Sequence, residues 1–277
     1  MLKLNQKYIK LVVKKSLEED LKPRGDITSN LLRFKNKKIK AKIIAKQNGI
    51  IAGLDFCKSA FKLVGKETIF NKKVKDGSKV KKGKVLAIIS AKTKTILNAE
   101  RTALNFLGHA SGIASLTRNF VNKSNKRVKI CCTRKTSPGL RLLEKYAVKK
   151  GGGFNHRYNL SDEIMIKDNH INLESNLRIL IKKAIKSKKI ITVEIETIKQ
   201  LKQILDLKFK RVLFDNMKIG TLKKCLKLCR NKFETEYSGN VSLNNVKKIS
   251  NTKVNRISIG AITHSTKAFD VTLKVVN

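Results

Sequence analysis

The second half of the chain sets the tightest limit on what this sequence can fold into. From residue 128 onward, short apolar runs alternate with amphipathic segments. The strand-like runs are VKICC (128–132), EIMI (163–166), IITVEI (190–195), RVLF (211–214), FETEY (233–237) and RISIG (256–260). Helical patterns near 140–150 and over 173–187, 198–206, 219–230 and 242–250 separate them. Such a βα repeat predicts a parallel sheet covered by helices. Nearly every run hands over to polar residues: Thr133-Arg134-Lys135, Lys167-Asp168-Asn169, Glu194 and Glu196, Asp215-Asn216, Ser238-Gly239-Asn240, and Gly260-Ala261. A closed α/β barrel gathers those ends on one face, whereas an open doubly wound sheet concentrates its site at one switch point. Polar ends on almost all strands therefore predict a barrel. About six βα units make it shorter than the eight-stranded form.

The first hundred residues predict a different, mixed α/β region. Residues 5–20 have helical periodicity and end at the turn-rich KPRGDITS. KIKAKIIAKQNGIIAG alternates like strands around a glycine turn. VKDGSKVKKGKVLAIISAK (74–92) carries two glycine turns between short apolar runs. That spacing is similar to the hairpins of biotinyl and lipoyl carrier domains, but no flanking motif marks a modified lysine. A structural β-element is the better reading. NAERTALNFLGHASGIASLTRNFVNKS is a long helical pattern without an interior proline.

Net charge is +43, from 63 Lys and Arg against 20 Asp and Glu. Such an excess favours anionic partners, nucleic acid among them. Yet the lysines are dispersed along the whole chain, only 5% of residues are aromatic, and there is no Trp to stack on bases. The charge thus reads as solvated faces, with a nucleic-acid-binding protein kept as the alternative from another class. Cys57, Cys131, Cys132, Cys225 and Cys229 show no CxxC spacing. They read as buried thiols in a reducing, cytoplasmic setting. The N-terminal stretch lacks the apolar block of a signal peptide, and no run approaches membrane-spanning length.

The chemistry lies at the strand ends. Arg134, Lys135, Arg157 and Lys167 supply positive charge and His156 a donor, a set suited to carboxylates or phosphates. Glu194 and Glu196, two apart in a strand, project to one side. With Asp215 they form an acidic patch for Mg²⁺, ribose hydroxyls or a developing cation. YSGN and SIGAITH offer backbone N–H groups for a phosphate. The glycines of GGGFNHR let backbone pass close to a ligand. GxGxxG and Walker patterns are not met. His109 and His170 read as hydrogen-bonding residues, and Lys145 and Lys149 as lying on a wet helix face.

Seven blocks carry a resemblance that runs in order through nearly the whole chain: EEDLKPRGDITS, AERTALNFLGHASGIASLT, TRKTSPGLRLLEKYAVKKGGGFNHRYNLSDEIMIKDNHI, VEIET, LFDN, SGNVSLNNV and ISIGAITHSTKAFDVTLKV. The chain resembles the quinolinate phosphoribosyltransferase family. The resemblance implies an N-terminal α/β sandwich domain (1–104), joined by the C-terminal strand (267–277), and a short, incomplete, six- to seven-stranded α/β barrel (105–266). It implies the conversion of quinolinate and 5-phosphoribosyl 1-pyrophosphate (PRPP) to nicotinate mononucleotide, pyrophosphate and CO₂ with Mg²⁺. It further implies a homodimer or hexamer in which Arg101 reaches the neighbouring site. Arg134, His156, Arg157 and Lys167 match the pocket for the quinolinate carboxylates. Lys135, Glu196, Asp215, Ser238, Gly239 and Gly260 match positions around PRPP, with Glu196 and Asp215 as metal ligands. Lys135, Lys167, Glu196 and Asp215 match the catalytic set. Cys132 and Tyr237 depart from the family pattern. A molybdenum-transport-associated paralogue shares the scaffold and is the alternative within it.

Overall fold

The computed structural model describes residues 4–32, 35–174 and 176–276. In chain order the first elements are α1 (Gln6–Leu21), α2 (Ile27–Leu31), β1 (Lys38–Ala45), β2 (Gly49–Ile50), α3 (Leu54–Val64), β3 (Ile69–Lys72), β4 (Lys79–Val80), β5 (Val85–Lys92) and α4 (Thr93–Lys123). There follow β6 (Lys129–Cys131), α5 (Arg141–Lys150), β7 (Ile164–Ile166), α6 (Asp168–Glu174), α7 (Leu177–Ile185), β8 (Ile191–Ile195) and α8 (Ile198–Lys202). The last are β9 (Arg211–Asp215), α9 (Ile219–Cys229), β10 (Glu234–Ser238), α10 (Val246–Ser250), β11 (Arg256–Ser258), α11 (Ala261–His264) and β12 (Val271–Val276). They form two compact units. The first takes residues 1–118, 136–152 and 265–277; the second takes 119–135 and 153–264. Position 104 lies inside the continuous helix α4, which runs on to Lys123.

The first unit is built on a four-stranded antiparallel sheet in the order β12-β1-β5-β3. In β1, Ala41, Ile43 and Ala45 are buried while the intervening residues are partly accessible, the period-2 pattern of a half-covered strand. The C-terminal strand β12 returns to pair with β1, Ala45 opposite Val271 and Lys40 opposite Val276. The runs either side of Gly49 go to different sheets, because β2 pairs with β4 and not with β1. Helix α1 presents Ile9, Val13 and Leu17, spaced by four, to the core. Its Asn5 cap accepts from the Tyr8 N–H at 2.7 Å. On α4, a Cβ at Gly112 would meet the Lys267 carbonyl at 2.2 Å, so only glycine lets the C-terminal segment lie on this helix.

Helix α5 corrects one expectation. Lys149 is exposed, but Lys145 is fully buried beside fully buried Glu144. Glu144 accepts from the Ser137 N–H and lies 2.9 Å from His109 Nε2. Residues 136–152 pack into the first unit on both sides of α5, and that leaves no wet face for Lys145.

The second unit is a parallel sheet in the order β6-β11-β10-β9-β8-β7. Phe154 adds a single parallel bridge to Cys131 at its β6 edge, making a seventh position. Just past that edge, Arg157 Nη1 donates to the Glu163 carbonyl that precedes β7, at 3.0 Å. Among the described residues no ladder joins β6 to β7, so the six strands and the Phe154 bridge make the short, incomplete barrel expected. The helix expected over 173–187 is two helices. Asn176 stops α6 from continuing into α7 by accepting from the Arg178 and Ile179 N–H groups. Ser175, between them, lies outside the described residues.

The barrel interior is charged in its lower layers. Arg211 donates to Glu163 and Glu234 at 3.1 and 3.0 Å, and to Thr192 Oγ1 at 2.9 Å. Arg256 Nε donates to Glu236 at 3.0 Å. Side chains two apart on a strand face the same way, so β8, β9, β10 and β11 run from this polar layer to a polar C-terminal end.

Candidate active site

A cavity of about 920 Å³ opens at the C-terminal ends of the barrel strands. Its wall is read strand by strand. The turn after β6 brings Thr133, Arg134 and Lys135, and the segment past Phe154 brings His156 and Arg157. Lys167 follows β7, Glu194 lies on β8, and Asp215 ends β9. Ser238 and Gly239 follow from β10, and Gly260 and His264 from β11.

Cations and acids meet directly here. Lys167 Nζ donates to Glu194 Oε2 at 2.8 Å. Burial raises the Glu194 carboxyl above its ordinary range; Lys167 opposes that shift, while Asp215 and Asp168 add to it. Arg157 is buried, and both desolvation and neighbouring Arg134 lower its hold on its proton. Arg134 and Arg157 lie close enough to repel, with Glu163 and Glu194 offsetting part of that charge, and they give this wall a cationic character suited to an anion. Asp215 is held by the Asn216 side-chain amide at 2.8 Å.

The opposite wall is backbone. Gly239 has φ +100°, and a Cβ there would lie 2.2 Å from Asn216 Oδ1, so the turn admits no side chain. A Cβ at Gly260 would touch His264 at 3.0 Å and the Lys135 side chain at 3.1 Å. Lys135 is thus laid against a glycine turn at the start of α11, a cation beside exposed peptide groups. Its carbonyl is tied by Thr263 Oγ1 at 2.6 Å.

Of the residues singled out in the sequence, Arg134, Lys135, His156, Arg157, Lys167, Glu194, Asp215, Ser238, Gly239 and Gly260 come together in this cavity. Two do not. Glu196 is exposed one residue past β8, and its N–H donates to Gln200 Oε1 at 2.9 Å. The strand ends at Ile195, so the same-side projection of Glu194 and Glu196 does not extend to the cavity wall. Arg101 is exposed on α4 in the first unit. Both departures from the family pattern also lie off the cavity. Tyr237 points to the other face of β10 and donates to the Met217 carbonyl at 3.2 Å. Cys132 is buried with its Sγ 3.3 Å from Asn155 Oδ1.

Sequence reading missed Glu236, which lines the cavity from below at 0% exposure, and His264. The signal for Glu236 was available: in ETEYS it sits two residues before Ser238, hence on the same face. His170, by contrast, is the hydrogen-bonding residue expected, its Nδ1 accepting from the Lys167 N–H at 3.1 Å.

Comparison with known proteins agrees with this architecture. Family models for the quinolinate phosphoribosyl transferase C-terminal and N-terminal domains match residues 113–274 and 26–111. A Bacillus subtilis protein named "Probable nicotinate-nucleotide pyrophosphorylase [carboxylating]" is 39% identical over 98% of this chain and 95% of its own. A mitochondrial quinolinate phosphoribosyltransferase [decarboxylating] of Nicotiana tabacum is 38% identical over 96% of this chain and 82% of its own. The crystal structure of nicotinate-nucleotide pyrophosphorylase from Ehrlichia chaffeensis superposes with a TM-score of 0.93 at 36% identity, over 99% of this chain and 100% of that one. NadC from Streptococcus pyogenes superposes equally well, at 0.93 and 33% identity over 99% of both chains. With both domain models matched and relatives aligned from end to end, the chain belongs to the quinolinate phosphoribosyltransferase family.

Proposed function

We infer that this protein transfers the phosphoribosyl group of PRPP to quinolinate, giving nicotinate mononucleotide, pyrophosphate and CO₂. The observation that carries this reading is the convergence of Arg134, Arg157 and Lys167 with Glu194 and Asp215 in one cavity. Quinolinate is a pyridine dianion. Two guanidinium forks and an ammonium match its carboxylates and hold the ring so that its nitrogen faces the sugar. The nitrogen forms a bond to ribose C1 as the bond from C1 to the pyrophosphate oxygen breaks. Glu194 and Asp215 stabilise positive charge growing on the ribose, and Lys135 meets the phosphate end. The carboxylate beside the now-cationic ring nitrogen leaves as CO₂. The ring holds its electron pair until a proton from solvent replaces the lost group.

Among the described residues no cluster of three or more His, Cys, Asp or Glu side chains forms a metal cage. One or two carboxylates in a cavity that admits a diphosphate suit Mg²⁺, which keeps most of its waters and shares phosphate oxygens. We propose that Asp215, which ends β9 on the cavity wall, holds it. When bound, Mg²⁺ neutralises charge on the departing pyrophosphate. Arg101 is the residue a second copy of this chain would lend, in a homodimer or larger assembly. Five buried free thiols suit a reducing compartment such as the cytoplasm. No helix among the described residues is long and apolar enough to cross a membrane.

The test is Arg134→Ala in the full-length protein. Its kcat/KM for quinolinate should fall by about 100- to 1000-fold, as for loss of one preorganised charge-stabilising donor. Unchanged kinetics would remove Arg134 from the site.

A further inference from the structure

Glu236 has no role in the chemistry above, yet it is the most enclosed acid beneath the cavity. Its Oε1 accepts from Ser258 Oγ and lies 3.2 Å from His156 Nε2. Oε2 takes Arg256 Nε at 3.0 Å, with Arg211 Nε at 3.5 Å. Burial pushes this carboxyl up, but hydrogen bonds from His156 and Ser258 and the charge of Arg256 outweigh it and keep the group low, so it is a carboxylate. The other ring nitrogen of His156 is also engaged: Nδ1 accepts from the Arg157 N–H at 2.9 Å. An acceptor at Nδ1 cannot carry a proton, which leaves the imidazole proton at Nε2, facing Glu236. The Nε2 contact is close without being squarely aligned.

Glu236 is met by Arg211 from β9 and by Arg256 from β11, and the Cys131 thiol faces it from β6. On the cavity side Arg157 already has Arg134 beside it. Glu163 and Glu234 offset Arg211 and Arg256 below the ring, so the proton's place on His156 is set by the ring's own two contacts.

We propose that Glu236 is a positioning residue that fixes His156 as the neutral Nε2–H tautomer. His156 then enters the cavity as an uncharged ring, and its Nδ1 anchors the backbone of Arg157. Within one copy of the chain, the charge that receives the substrate's carboxylates then comes from Arg134, Arg157 and Lys167 and not from His156. This positioning role rests on the reaction proposed above only for what those cations bind.

The experiment is nitrogen NMR on the full chain carrying ring-¹⁵N histidine, whose four histidines give few signals. The His156 signal is the one lost in His156→Asn. The expected result is a proton on Nε2 and a bare Nδ1. In Glu236→Gln the ring should exchange between tautomers, and the KM for quinolinate should rise by about 10- to 100-fold, the size seen when a metal-bound histidine loses its outer partner. A doubly protonated ring, or a proton on Nδ1, in the unaltered protein overturns the proposal. So does a folded Glu236→Gln protein with tautomer and KM unchanged. If that variant does not fold, the spectrum of the unaltered protein decides alone. A fixed Nε2–H ring in a protein that turns over no quinolinate would overturn the reaction and leave the positioning role standing.

Discussion

In the first unit the space between sheet and helices is filled by Ile9, Ile43, Phe56, Phe61 and Leu86, all fully buried. The second unit's strands enclose Thr192, Arg211, Glu236, Arg256 and Ser258, each at least nine-tenths buried. The two interiors are held by different physics. Apolar burial is non-directional and roughly proportional to area, so neighbours can adjust around it. A buried ionic network is satisfied only as a set, and its members gain little over apolar substitutes while costing heavily if broken singly. What the barrel obtains in return is placement. Glu236 and Arg211 are two and four residues from the strand ends that carry Ser238 and Asp215, on the same faces. A rigid polar interior therefore feeds directly into a polar site.

The sharpest way to break this comparison is to remove one barrel cation. Arg256→Met leaves Glu236 short of a partner and should cost about 3–5 kcal/mol. The paired change Arg256→Met with Glu236→Leu should regain much of that loss, because Arg211 keeps Glu163 and Glu234. Phe61→Ala in the first unit should cost a similar amount, about 3–5 kcal/mol, as a cavity that no second charge removal repairs. Chemical denaturation of the four proteins checks this. A double variant as weak as Arg256→Met would show that the charge pairs are not what the barrel depends on.

A smaller effect sharpens the contrast. Glu236 is held at about 2 against an ordinary value of 4.5, and Arg256 and Arg211 also keep Glu234 low despite its burial. A depressed carboxyl stabilises the fold fully above its unfolded value, and that stabilisation is lost as pH falls through the folded value. The barrel should therefore weaken between about pH 4.5 and 2, ahead of the apolar interior of the first unit. Hydrogen exchange measured by segment should show barrel strands losing protection first on acidification. Simultaneous loss in both units would erase the distinction.

Much of this was legible beforehand, for identifiable reasons. The βα alternation fixed parallel strands because no short turn could return the chain, and the polar run-ons marked the mouth of the barrel. The return of β12 to β1 came from the family likeness, since a six-residue strand carries no partner's name in its own pattern. Lys145 was misplaced because helical periodicity reports a face, not what packs against it. Glu196 was grouped with Glu194 because the strand was taken past Ile195, where Thr197 and Gln200 instead close a capping box and start α8. The spacing of Glu236 from Ser238 put it on the cavity face, but what holds a buried acid there is known only once its arginines, on other strands, are placed.

The central claim is that the cationic side of the cavity is built for a pyridine bearing two carboxylates. The direct measurement is turnover by the purified protein with PRPP and Mg²⁺, supplied with quinolinate or with nicotinate. The account predicts nicotinate mononucleotide and CO₂ from quinolinate and no turnover of nicotinate. Equal use of nicotinate, or no product from quinolinate, would contradict it.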